Sequence, residues 1–170
     1  MLKIFCVFAI TVTTVLSFKL PEHFLALGQD YAFSVVRLNF LQAYAACKRY
    51  GWTLATEKNE LQTNTLAEEI KANKIQSVAY WIGGFYQSDQ EFLPRWIWLE
   101  TGESLNYTNW YVEPTSTLSP DITTIPVTTS PTPKPPDSNI CLKKNDFVNH
   151  NGEWTAENCG TELEFICETS

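Results

Sequence analysis

A chain of 170 residues with 44% hydrophobic and 14% aromatic content holds enough apolar material for one domain with a sizeable core. Its formal net charge of −7, with the acids spread along the chain rather than massed in a block, argues against nucleic acid as a partner.

The opening stretch MLKIFCVFAITVTTVLS reads as a secretory signal peptide over residues 1–17, with one lysine, an apolar run from Ile4 to Leu16 too short to span a bilayer, and a cut after Ser17. Its removal takes away Lys3, moving the charge from −7 to −8, and Cys6, so that an odd five cysteines become Cys47, Cys141, Cys159 and Cys167. Four cysteines in an exported chain imply two disulfides in one of three connectivities, and no pair has the close spacing of a thiolate zinc site. Nothing left is apolar and long enough to insert in a membrane, so the expectation is a secreted, extracellular protein. Residues 18–30 read as an N-terminal extension and 31–170 as the domain.

Two helices come first. In RLNFLQAYAACKRYG, Asn39 and Gln42 form a capping-box pattern, Phe40, Ala43, Tyr44 and Cys47 follow helical spacing, and Gly51 supplies the stop. In NELQTNTLAEEIKAN, Asn59 and Gln62 repeat the pattern ahead of an apolar stripe of Leu66, Ala67 and Ile70.

Strand signals follow from KIQSVAYWIGG onward. RWIWLETGESLNYTNWY alternates aromatic and polar residues and breaks at Thr101-Gly102. Residues 115–136 then interrupt, with ten Ser or Thr, six Pro and only Leu118, Ile122, Ile125 and Val127 to bury, which predicts a disordered insertion. Its Thr and Ser are candidate O-glycan acceptors. Beyond it, NICLKKN, FVNHNGEWTAENC and LEFICE are short strand-like pieces separated by Asn-Gly and Cys-Gly turns. Helices first and strands after make an α+β layout.

The segments AYAACKRYGWTLA, WIGG, WIWLETGE, YTNWYVEP, NGEWTAENC and FICE, in this order with four cysteines among them, resemble the C-type lectin-like domain family, and more narrowly the small secreted single-domain lectins of insects. The resemblance implies a C-type lectin-like fold of two helices with antiparallel sheets and a long loop, here carrying the 115–136 insertion. It implies disulfides Cys47–Cys167 and Cys141–Cys159, whose closed loops stabilise by about 4 to 5 and about 3 kcal/mol on chain-entropy grounds. It makes Trp81 a core residue; Trp96, Trp98 and Trp110 read as core as well.

Relatives that bind sugar through calcium use Glu-Pro-Asn or Gln-Pro-Asp, an acid shortly before the third cysteine, and Trp-Asn-Asp. The matching positions here are Glu113, Pro114 and Thr115, then Asn139, then Trp154, Thr155 and Ala156. Glu113 alone keeps its place, and Ala156 offers no side-chain oxygen where calcium wants six to eight. Glu113 and Asn139 remain as a vestigial metal pair, with Asp121 or Asp137 as added acids, and Pro114 as a candidate cis proline. The expectation is therefore no cofactor, with calcium dependence weakened or lost.

A glycan can be held without metal by amides and hydroxyls around an aromatic face, and Glu113, Pro114, Thr115, Asn139, Asn149, Asn151, Trp154 and Thr155 are the candidates on that edge. The expected function is recognition of glycans or glycoproteins; the alternatives are a calcium-dependent lectin for mannose-type sugars and a protein ligand without sugar binding. Catalysis has no support, since His23 and His150 sit in no nucleophile or metal motif. Asn106-Tyr107-Thr108 is an N-glycosylation sequon, placed in an expected strand beside Trp110.

Overall fold

The structure is a computed structural model that describes residues 20–88, 93–112 and 139–169. The signal-peptide reading, the Glu113-Pro114-Thr115 tripeptide and the Pro/Thr run lie outside the described residues.

Helix α1 (Phe40–Lys48) forms where the capping box predicts: Gln42 N donates to Asn39 Oδ1 and the Gln42 side chain accepts from Asn39 N. Phe40, Ala43 and Cys47 make its buried stripe, while Tyr44 stays half-buried. Helix α2 (Glu60–Ala72) is capped by Asn59, which accepts from Gln62 N, and buries Thr63, Leu66, Ala67 and Ile70. Its box is incomplete. Gln62 Oε1 accepts instead from Lys58 N, one residue further back, at 2.7 Å.

Among the described residues eight strands join the helices: β1 (Phe24–Leu27), β2 (Tyr31–Ser34), β3 (Thr53–Leu54), β4 (Ala79–Gln87), β5 (Arg95–Trp98), β6 (Ile140–Asn145), β7 (Trp154–Asn158) and β8 (Glu164–Glu168). The sheet runs β1-β2-β8-β4-β6-β7, with β3 added to β8 and β5 to β4. The fold is α+β, as expected. Its pairings are antiparallel except β4 with β8, which run parallel because the last strand inserts between β2 and the central β4.

Side chains alternate across that sheet and define two apolar layers. Tyr80, Ile82 and Ile166 join α2 and the Trp96, Trp98, Trp110 and Trp154 rings in one. Trp81, Phe165 and Cys167 join α1 through Phe40, Ala43 and Cys47 in the other. Trp81 is fully buried, meets Phe40 edge-on at 5.6 Å and donates from Nε1 to Leu38 O at 3.0 Å. Gly84 permits the crowded crossing of β4 and β6, since a Cβ there would fall 2.5 Å from Leu142.

Two readings of the sequence change. The segment 18–30 is not a plain extension: Phe24–Leu27 pair with β2, and Phe24 packs edge-on against Trp52 and Phe165, so burial recruits it into the domain. The alternating aromatics of 104–111 are not a continuous strand. Ser104 and Trp110 make isolated bridges, and the backbone between is irregular; Leu105, Tyr107 and Trp110 pack against the core without continuing a ladder.

Cys47 is bonded to Cys167 and Cys141 to Cys159, spanning 120 and 18 residues. The first pins α1 to β8; the second pins the start of β6 to the end of β7.

Candidate functional site

The β6–β7 hairpin carries most candidates. Its register sets Lys143 across from Thr155 and Leu142 across from Ala156, and Cys159 N donates to Asn139 O at 3.0 Å at the hairpin base. Asn139 and Thr155 are thus four residues apart along the ladder, roughly 13 Å at extended rise. Asn139, at φ 87, is exposed and lines a groove of about 490 Å³ with Phe40, Leu41, Phe85 and Leu99.

Thr155 is already engaged, its hydroxyl donating to Asn145 Oδ1 at 3.1 Å. Beside it Lys143 Nζ lies 2.8 Å from Glu157 Oε2. Burial works to raise the Glu157 carboxyl, but the Lys143 ammonium and the Asn158 amide outweigh it and hold the group below its ordinary range. Ala156 contributes a methyl packed against the core. The oxygens at 139 and 155 are neutral, and a fixed cation stands next to the second; this donor set does not fit calcium.

Trp154, named above as a ligand contact, is a core residue. It is fully buried, ringed edge-on by Trp98, Tyr107 and Trp110 at 5.7 to 5.9 Å, and offers no face to a sugar. Its indole Nε1 donates to Glu57 Oε2 at 2.6 Å, and Thr63 Oγ1 donates to the same oxygen at 3.1 Å. Lys144, also fully buried, lies 2.8 Å from Glu57 Oε1 and donates to Gly152 O at 2.8 Å. At 2.8 Å in a site without solvent the ammonium and the carboxylate form a close ion pair, and Gly152 O takes a further bond from the same ammonium. Burial pushes the Lys144 ammonium down and Glu57 opposes that.

Asn149 and Asn151 build the β6–β7 turn. Asp146 Oδ1 accepts from Val148 N, Asn149 N and Asn149 Nδ2, and its Oδ2 lies 3.2 Å from His150 Nδ1. Burial would raise the Asp146 carboxyl, but these donors hold it below its ordinary range. Asn151 and Gly152 take left-handed φ of 49 and 69°, and a Cβ on Gly152 would collide with Phe147. The His150 ring rests edge-on against Tyr111 at 5.0 Å.

Asn106 corrects a further expectation. It and Thr108 are exposed in irregular backbone, while Tyr107 between them anchors on Trp154.

Among the described residues no helix is long and apolar enough to cross a membrane, and no three His, Cys, Asp or Glu are grouped to hold a metal. The chain is similar to C-type lectin 16 of Aedes aegypti and salivary C-type lectin 1 of Aedes albopictus, each 32% identical over 83 residues. Those alignments take in 47% of this chain and 52% of each relative, so the match spans about half the length of the curated relatives. A solved complex of SPL-1 with GlcNAc has the same fold at 16% identity and TM-score 0.57, covering 87% of this chain and 93% of that one. The family model of the lectin C-type domain matches residues 36–169, and the chain belongs to the C-type lectin domain family.

Proposed function

We propose that this domain is a secreted, non-enzymatic recognition module that contacts glycans or glycoproteins without requiring calcium. The observation that carries the reading is the Lys143–Glu157 ion pair beside Thr155, on the strand where calcium-binding relatives are expected to present oxygens. An ammonium there repels a divalent ion and neutralises the nearby carboxylate, while Ala156 has nothing to offer. Family membership supports glycan recognition, SPL-1, which has the same fold, is solved as a GlcNAc complex, and the salivary relative supports secretion. Asn139 at its groove and the Glu113-Pro114-Thr115 segment are the contacts we assign to the ligand.

Calorimetric titration tests the metal half of the proposal. The domain should bind calcium no more tightly than about 1 mM, the weak end for extracellular sites. The triple variant Thr155→Asn, Ala156→Asp, Lys143→Ala should bind more tightly than the parent; micromolar binding by the unaltered domain would refute the reading.

A further inference from the structure

A cleft of about 270 Å³ opens between the start of α2 and the connection that leaves β5, and among the described residues Lys58, Trp98, Glu103, Ser104 and Asn106 line it. Asn106 is the acceptor of the Asn106-Tyr107-Thr108 sequon, so a sugar carried on its amide nitrogen is rooted at the cleft itself. We propose that this cleft seats the first N-acetylglucosamine of an N-glycan on Asn106, and that the seated sugar braces the fold. The brace is independent of the ligand-recognition reading.

The root of that sugar is held on both sides. Leu105 N donates to Trp96 O at 3.1 Å and Tyr107 meets Trp154 edge-on at 5.9 Å. Both side chains pack against the core, while Asn106 and Thr108 between and beyond them are exposed. A group tethered to so fixed a point docks at an effective concentration on the order of millimolar, so weak contacts suffice to seat it.

The lining supplies what a hexosamine needs, because sugar hydroxyls both donate and accept. The Lys58 ammonium donates. The Ser104 hydroxyl accepts from Arg95 Nη1 at 3.4 Å and keeps its own hydrogen to donate. Glu103 Oε2 accepts from Lys58 Nζ at 2.7 Å and from Thr101 Oγ1 at 3.0 Å, and since a carboxylate has about four lone-pair sites, acceptor capacity remains. Lys58, first, and Thr101 hold the Glu103 carboxyl below its ordinary range, so it is an ionised acceptor at neutral pH.

Size points the same way. Pockets for drug-sized ligands run from about 300 to 1,000 Å³, so this smaller cleft suits one sugar ring rather than a branched chain. Seated there, the ring spans from Lys58, just ahead of α2, to Trp98 at the end of β5 and to Glu103 and Ser104 beyond it. A group bound to the folded chain and not to the unfolded one raises the melting transition.

The test is thermal unfolding of the domain secreted from a eukaryotic host that leaves high-mannose N-glycans. Three forms are compared: intact, trimmed by an endoglycosidase to the single sugar on Asn106, and stripped by an amidase that converts Asn106 to aspartate. Asn106→Asp and Asn106→Gln are the sugar-free controls for that change of charge. The intact and one-sugar forms should melt together, and every sugar-free form at least about 2 °C lower. In Lys58→Ala, which removes one exposed side chain of the cleft, the gap between one-sugar and stripped forms should shrink at least by half. Equal midpoints for one-sugar and stripped protein, a fall on trimming to one sugar, or an unchanged gap in folded Lys58→Ala overturns the proposal. Secreted protein whose mass shows no sugar on Asn106 overturns it too.

Discussion

Glu57 and Trp154, 97 residues apart in the chain, meet in the fully buried core through a 2.6 Å hydrogen bond from the indole to the carboxylate. With Lys144 on the other carboxylate oxygen and on Gly152 O, this contact ties the start of α2 to both strands and the turn of the β6–β7 hairpin. The edge at which relatives gather a metal is here braced from behind by an internal charge pair.

Removing one partner should therefore be costly. Lys144→Ala leaves a buried, uncompensated Glu57 and should destabilise the domain by about 3 to 5 kcal/mol in urea unfolding. The double variant Glu57→Leu, Lys144→Met should lose much less than either single change. A single-variant loss below about 1 kcal/mol would mean the pair is solvated and not part of the core.

Stability should fall on both sides of neutrality. Asp146 and Glu157 titrate below their ordinary 3.8 and 4.5 in the folded state, so the stability they add is complete above about pH 4.5 and is lost as pH falls through the folded values. Burial, first, and nearby acids push Tyr31 and Tyr80 up to about 12 from 10.0, so their contribution is complete below pH 10 and lost as pH rises toward 12. The urea midpoint measured against pH should show a plateau from about 5 to 9; a maximum below pH 4 would contradict these assignments.

The count of two disulfides and both N-caps were readable because each rests on a short local pattern, whereas the pairing of the cysteines and the core place of Trp81 came through the family resemblance. Glu57 and Lys144 were not. Charged residues read as surface, and only the tertiary pairing that satisfies them reveals their burial. Strand β1 escaped because Phe24 and Leu27 are buried at a spacing of three, without the period of two that marks a half-buried strand. Trp154 stood among the ligand candidates by its motif position, with core as the alternative, and nothing local shows the three rings and the carboxylate that place it in the core.

Asn106 should carry an N-glycan when the chain is made in a secretory host, since it and Thr108 are exposed in irregular backbone. Glycosidase treatment should lower the mass of the secreted protein by one glycan, and Asn106→Gln should abolish that shift. An unchanged mass in treated parent protein would show that the site is not used.

The central claim, sugar recognition without calcium, is tested most directly by a glycan array probed with the secreted domain in calcium and again in chelator. The account predicts the same glycan signals in both conditions. Signals confined to calcium would identify a calcium-dependent lectin, silence in both would point to a protein ligand, and either result would contradict it.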